Sequence, residues 1–342
     1  MPRSEPLLAL SALMARRVGL MWDQAEPDWA NLDAQDFGAT ASRHRVVGLA
    51  LQSAKTELLP RSALMALEQR WRLESMRAMR QGSDLLRLLD SYDNAGIPVL
   101  LIKGQGFSEL VYGDWTVRGV ASDADFVIPP SDVAEAHRVM TKLGYYCDHD
   151  EGRVAPLAGW RGRYCRWLHY ERYYASPDHL HVDVHWRPLP GSASWTRFDR
   201  LWTSRSAVHL HGRQVYVPGP VDTVRISAGQ GVPDGWPNLR SSVDLLAAAT
   251  LLGPADLAKL KLEDSLVSAA LNQAPGILLH GNPRWSSEGR EPNRSHLRRE
   301  WQLRRRTDSL PKAAARSVLG YWAPARRLMP MDPATTHPAF RQ

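Results

Sequence analysis

The sequence predicts an α+β fold, a small mixed β-sheet set between an N-terminal and a C-terminal helical region. Three observations predict it. Apolar residues recur at helical spacing from about residue 5 to 95. Short apolar or alternating runs follow at 97–102, 123–128 and 181–186, which suit strands. Beyond 219 the helical period returns. This divides the chain into a helical region over 1–95, a sheet-bearing core over 96–218, a second helical region over 219–330 and a tail over 331–342. A length of 342 residues suits about two domains, and 44% apolar residues suffice for a substantial core.

Leu7, Leu8, Leu10, Leu13 and Met14 give the first helix its apolar face, and Pro27 breaks the pattern. Val46, Val47, Leu49 and Leu51 mark a packed helix within His44–Leu58. A long helix is predicted over Ser62–Asn94, with Gly82 its weak point and Gly96 its stop. Ile97–Ile102 is continuously apolar and branched, so it reads as a buried strand with Pro98 confined to its start. It ends at Lys103-Gly104-Gln105-Gly106, and Phe107–Tyr112 reads as a helix closed by Gly113. Asp123–Ile128 is the next strand. Asp132 then reads as an N-cap with Glu135 as its capping-box partner, opening an amphipathic helix that Gly144 closes. Tyr145–Cys147, Trp167–Tyr174 and His181–Trp186 read as strands, and Arg213–Val217 as a hairpin arm. Asp222–Gln230, Leu239–Leu252, Ala255–Leu271 and Ala313–Leu328 read as helices, and Pro275–Ser295 as a loop.

Composition limits the function classes. The net charge of +7 favours anionic partners such as nucleotides, nucleic acid or acidic lipids. The arginine-rich segment 284–306 suits nucleic acid only weakly, because few aromatic residues interleave it and Glu288, Glu291 and Glu300 dilute it. A solvated helix face is preferred. The two cysteines, Cys147 and Cys165, make no Cys-x-x-Cys pair, which fits a reducing, cytoplasmic setting. No run approaches the ~20 apolar residues of a membrane span. Arg16 and Arg17 follow the first apolar stretch, the reverse of a secretory leader.

The chemistry gathers in the middle of the chain. On a strand, Asp123 and Asp125 point to one side while Ala124, Phe126 and Ile128 point to the other. Neighbouring carboxylates repel unless a cation lies between them, and Mg²⁺ takes one or two carboxylates together with substrate phosphates. Two solvated acids on an exposed strand are the plain alternative. His181, Asp183 and His185 share one face of a later strand and supply a third acid. With Cys165 and His169 nearby they would instead suit Zn²⁺ or Mn²⁺. The glycine turn at Lys103-Gly104-Gln105-Gly106 joins a strand to a helix, where backbone N–H groups favour phosphate.

Lys103-Gly104, Arg118, Ser122-Asp123-Ala124-Asp125 and Val182-Asp183-Val184-His185-Trp186, in this order, resemble the uncharacterised bacterial nucleotidyltransferase family of the DNA polymerase beta-like superfamily. Trp236–Leu245 resembles the helical half of that family. The resemblance implies that Asp123, Asp125 and Asp183 bind Mg²⁺, with Mn²⁺ an alternative, and that Asp183 is the general base with His185 supporting it. It implies that Lys103, Gly104, Gly106, Arg118 and Ser122 hold the nucleotide. The reaction implied moves a nucleoside monophosphate, AMP from ATP foremost, to a hydroxyl or phosphate on a small molecule, peptide or protein. The chain departs from the pattern in three places. Lys103-Gly104 stands where the superfamily has Gly-Ser, Ala124 where it has Ile or Leu, and Gln230 where a histidine is common. Ala124 and the missing Gly-Ser leave room for a non-catalytic nucleotide-binding or regulatory module, such as an antitoxin-like or peptide-tailoring partner.

Overall fold

The computed structural model describes residues 5–54, 59–119, 123–147, 171–176, 180–189 and 194–281. The predicted helix at 313–328, the arginine-rich segment, Ser122, Cys165 and His169 lie outside them.

Helices α1 (Glu5–Arg17), α2 (Ala34–Arg43), α3 (Val47–Ser53) and α4 (Arg61–Asn94) come first. Then follow β1 (Leu100–Leu101), α5 (Gly104–Tyr112), β2 (Asp123–Val127), α6 (Val133–Lys142), β3 (Tyr146–Cys147), β4 (Glu171–Ala175) and β5 (His181–His185). The chain continues with α7 (Phe198–Thr203), the hairpin β6 (Ser206–Leu210) and β7 (Arg213–Val217), and α8 (Pro220–Asp234). Helices α9 (Leu239–Ala249), α10 (Pro254–Glu263) and α11 (Ser265–His280) complete the described chain.

The main sheet has the order β1-β2-β5-β4-β3. It is mixed, as expected: β2 and β5 run parallel, and the other neighbours are antiparallel. One face packs on the C-terminal half of α4 and on α6 through Leu88, Tyr92, Phe126, Ala136, Met140 and Val184. Tyr92 meets Phe126 edge-on at 5.6 Å. On the other face Leu100, Ile102 and Val127 pack against Phe198 and Leu201 of α7 and Ile226 of α8. The N-terminal and C-terminal helices share a core, in which Leu10, Phe37 and Leu49 pack with Leu239, Val243 and Leu278.

Several local expectations need correction. Asp132 precedes α6 without a side-chain cap bond; its carboxylate instead accepts from the Ser131 hydroxyl at 2.9 Å. The stretch Ala255–Leu271 is two helices. Asp264 breaks it and caps α11, accepting from the N–H groups of Leu266 and Val267 at 3.0 and 3.1 Å. Helix α11 then runs through Pro275, where a loop was expected. Burial of Ala274 and Leu278 overrides the proline's local preference.

Candidate active site

The parallel pairing of β2 and β5 sets Asp125 beside Asp183 and Asp123 beside His181. The ligand atoms of Asp125, Asp183 and His185 all lie within 4.8 Å of one another. Asp123 is not in that group, but it lines the same cleft as Asp125. His185 was expected to support Asp183; its Nε2 lies 3.1 Å from Asp125 Oδ1, to which it donates. Lys103 Nζ donates to the same oxygen at 2.6 Å. Burial pushes the Asp125 carboxyl up, but the Lys103 ammonium and the His185 hydrogen bond outweigh it and hold the group at about 2. His181 meets the Tyr173 hydroxyl instead and is outside the cluster, so the His-x-Asp-x-His reading loses one of its ligands.

The cleft has a volume of about 300 Å³ and lies between the sheet and the C-terminal helices. Lys103, Gly104, Arg118, Asp123 and Asp125 line it. Gly104 begins α5 with φ +62°, a left-handed conformation that glycine adopts without strain. Gly106 is buried elsewhere. A Cβ there would sit 2.9 Å from Val217 Cγ1 and 3.0 Å from Leu101 Cβ, so its smallness lets α5 close on β1 and β7.

Arg118 is fixed from several sides. Its Nε and Nη2 donate to Asp244 Oδ2 at 3.0 and 2.7 Å, and Nη1 donates to the Gly104 carbonyl at 3.2 Å. Its guanidinium also lies 4.4 Å from the Phe107 ring centroid. The Tyr112 hydroxyl donates to Asp244 Oδ1 at 2.7 Å. Sequence reasoning did not single out Arg45, Arg240 and Asp244 as lining residues. The i,i+4 pair Arg240 and Asp244 was the available signal, because such a pair on one helix face projects together. Arg45 carried none. Gln230, flagged as standing in a histidine's place, does line the cleft.

Two carboxylates and an imidazole with ligand atoms within 4.8 Å of one another could hold a divalent cation, once the imidazole releases its proton from Asp125. Such a cation would meet Asp125 Oδ1 in competition with the Lys103 ammonium.

A family description, "Uncharacterised nucleotidyltransferase", matches residues 30–265. Among solved structures, the crystal structure of ANT(2")-Ia in complex with adenylyl-2"-tobramycin aligns at 15% identity. That alignment covers 56% of this chain and 98% of the other, with a TM-score of 0.37. No curated protein matches the chain significantly. Among the described residues no helix is long and apolar enough to cross a membrane. The family match takes in both carboxylate strands, the glycine turn and the helices that close the cleft, and on that span this chain belongs to the uncharacterised nucleotidyltransferases.

Proposed function

We propose that the chain transfers a nucleoside monophosphate, AMP from ATP foremost, to a hydroxyl or phosphate on a small molecule, peptide or protein, with Mg²⁺ or Mn²⁺ at Asp123, Asp125 and Asp183. The observation that carries this reading is the β2–β5 register, which brings the Asp125, Asp183 and His185 ligand atoms within 4.8 Å of one another, with Asp125 also lining the cleft. A divalent ion bound there would neutralise the triphosphate and acidify the attacking hydroxyl. Asp183 is only half-buried and takes the acceptor's proton. The acceptor oxygen bonds the α-phosphorus as the bond to the β-phosphate oxygen breaks, and pyrophosphate leaves. His185 and Lys103 keep Asp125 ionised and oriented. Gly104 keeps the turn open beside the phosphates, and no Cβ intrudes there.

Pyrophosphate release from ATP with Mg²⁺, in the presence of cell extract as acceptor source, tests the reading. Wild type should release pyrophosphate, while Asp125→Asn and Asp183→Asn should each lose at least a hundredfold. Equal release by wild type and both variants overturns it.

A further inference from the structure

The cleft has a second charged feature, built by different elements from the carboxylate pair. Arg45 comes from the corner between α2 and α3, Arg118 from the loop before β2, and Arg240 from the first turn of α9. Asp244 is the carboxylate among them, and Arg118 takes its Oδ2 twice. Arg240 reaches that oxygen only at 3.9 Å and otherwise donates to the Arg118 carbonyl at 3.4 Å. Among the described residues no ion pair engages Arg45. Burial and the charges of Arg118 and Arg45 lower the Arg240 guanidinium to about 9, against the pull of Asp244. Arg118 and Arg240 share Asp244, Glu74 also offsets Arg240, and Arg45 adds a third guanidinium to the same cleft, an arrangement that a multiply charged anion suits.

The backbone is left-handed at two corners beside it. Arg45 has φ 57° and Trp236 has φ 57°, left-handed values that non-glycine residues seldom adopt. Both corners abut the start of α9. His44 Nδ1 accepts from the Leu239 N–H at 3.3 Å, and the His44 carbonyl accepts from the Arg240 N–H at 3.4 Å. The Asn238 side chain accepts from the Ser241 N–H at 3.1 Å. The N–H groups of Leu239, Arg240 and Ser241 are therefore taken, and Arg45 and Arg240 line the cleft beside Asn238 and Ser241.

We propose that Arg45, Arg118 and Arg240 form a seat for a phosphate-bearing group of a ligand, distinct from the Asp125–Asp183–His185 cluster. Two sources share that chemistry: the β,γ-phosphates of the nucleotide, and a phosphate on the acceptor. The naming of these ligands rests on the transfer reading, and the seat itself is tested apart from it.

The test is calorimetric titration of the full chain with inorganic pyrophosphate in EDTA. Pyrophosphate should bind, and Arg45→Ala and Arg240→Gln should each weaken binding at least tenfold, while Glu263→Gln, an exposed change outside the cleft, leaves it within about twofold. Arg45 is exposed, so its variant should fold as wild type does, and circular dichroism checks both. Absent binding, or binding indifferent to both arginines, overturns the seat. Prior saturation with a non-hydrolysable ATP analogue separates the sources, and either result supports the seat. Blocked pyrophosphate binding assigns it to the nucleotide's polyphosphate, and retained binding to a phosphorylated acceptor. ATP turnover with arginine-independent pyrophosphate binding sinks the seat alone. Arginine-dependent binding without any pyrophosphate release sinks the transfer reading alone.

Discussion

Lys103 Nζ and Asp125 Oδ1 are 2.6 Å apart, an ion pair whose carboxylate side chain is 2% exposed and whose lysine is 36% exposed. The lysine therefore has two roles that compete. With His185 it keeps a buried carboxylate ionised, and it occupies an oxygen that a divalent cation would take.

Lys103→Met separates these roles. Removing one partner of a buried pair costs several kcal/mol, and the partial exposure of the lysine reduces this to about 2 kcal/mol. With the ammonium gone, burial raises the Asp125 carboxyl. In the wild type that carboxyl is held at about 2 against an ordinary 3.8. Its contribution to stability is thus complete above pH 3.8 and is lost as pH falls through about 2. In Lys103→Met the loss should begin at higher pH, read by acid unfolding followed by circular dichroism. Mn²⁺ binding without nucleotide, read by electron paramagnetic resonance, should tighten severalfold because a like charge has left. Weaker Mn²⁺ binding in a folded variant would count against competition for Asp125 Oδ1.

A second pH dependence belongs to His44. Burial, with Arg43 adding to it, lowers its imidazole from 6.5 to about 4. The neutral ring accepts from the Leu239 N–H, and a protonated Nδ1 could not. Stability from this group is complete above pH 6.5 and declines as pH falls towards about 4. The full decline is about 3 kcal/mol. His44→Asn keeps an acceptor near the same place and removes the titration. Its melting temperature should be flatter than wild type between pH 6.5 and 4, and parallel slopes would refute the assignment.

Alternation alone showed that Asp123 and Asp125 share a face and that a third acid arrives on another strand, because a period of two leaves no other choice. It did not show which carboxylates converge. That depends on parallel pairing of β2 with β5, a contact between distant parts of the chain. Arg45 was illegible for the same reason, since it joins the cleft only because the α2–α3 corner docks on α9. Pro275 and the Ala255–Leu271 stretch misled because local preference was outweighed by burial in one case and by the Asp264 cap in the other.

Gly82 lies inside the long helix α4, where its lack of a Cβ makes room for a neighbour. A Cβ at Gly82 would fall 2.0 Å from His211 Nε2. His211, at the tip of the β6–β7 hairpin, packs on Trp115 at 4.2 Å and meets Gln105 Oε1 at 3.3 Å. Alanine in a helix normally gains about 1 kcal/mol over glycine. Here overpacking should reverse the sign, and Gly82→Ala should lose about 1–3 kcal/mol in urea unfolding. In a His211→Ala background the substitution should become neutral or stabilising. A stabilising effect with His211 intact would mean that the hairpin tip yields freely.

Gly104 and Gly106 stand two residues apart, and their substitutions should fail differently. At Gly104 a Cβ meets nothing within 4 Å, but φ +62° strains any L residue by about 1–2 kcal/mol. Relief of that strain would turn the peptide that holds the Arg118 Nη1 and borders the cleft. At Gly106 the backbone is unstrained, but the Cβ collides with Val217 and Leu101, whose backbones belong to the β6–β7 hairpin and to β1. Gly104→Ala should therefore cut kcat/KM for ATP at least tenfold with a modest fall in Tm. Gly106→Ala should lower Tm more, by about 1–3 kcal/mol of stability, and leave the KM for ATP of the folded enzyme unchanged. A raised KM in Gly106→Ala at full folding would return that glycine to the phosphate cradle, because steric packing against β1 and β7 gives no reason for it.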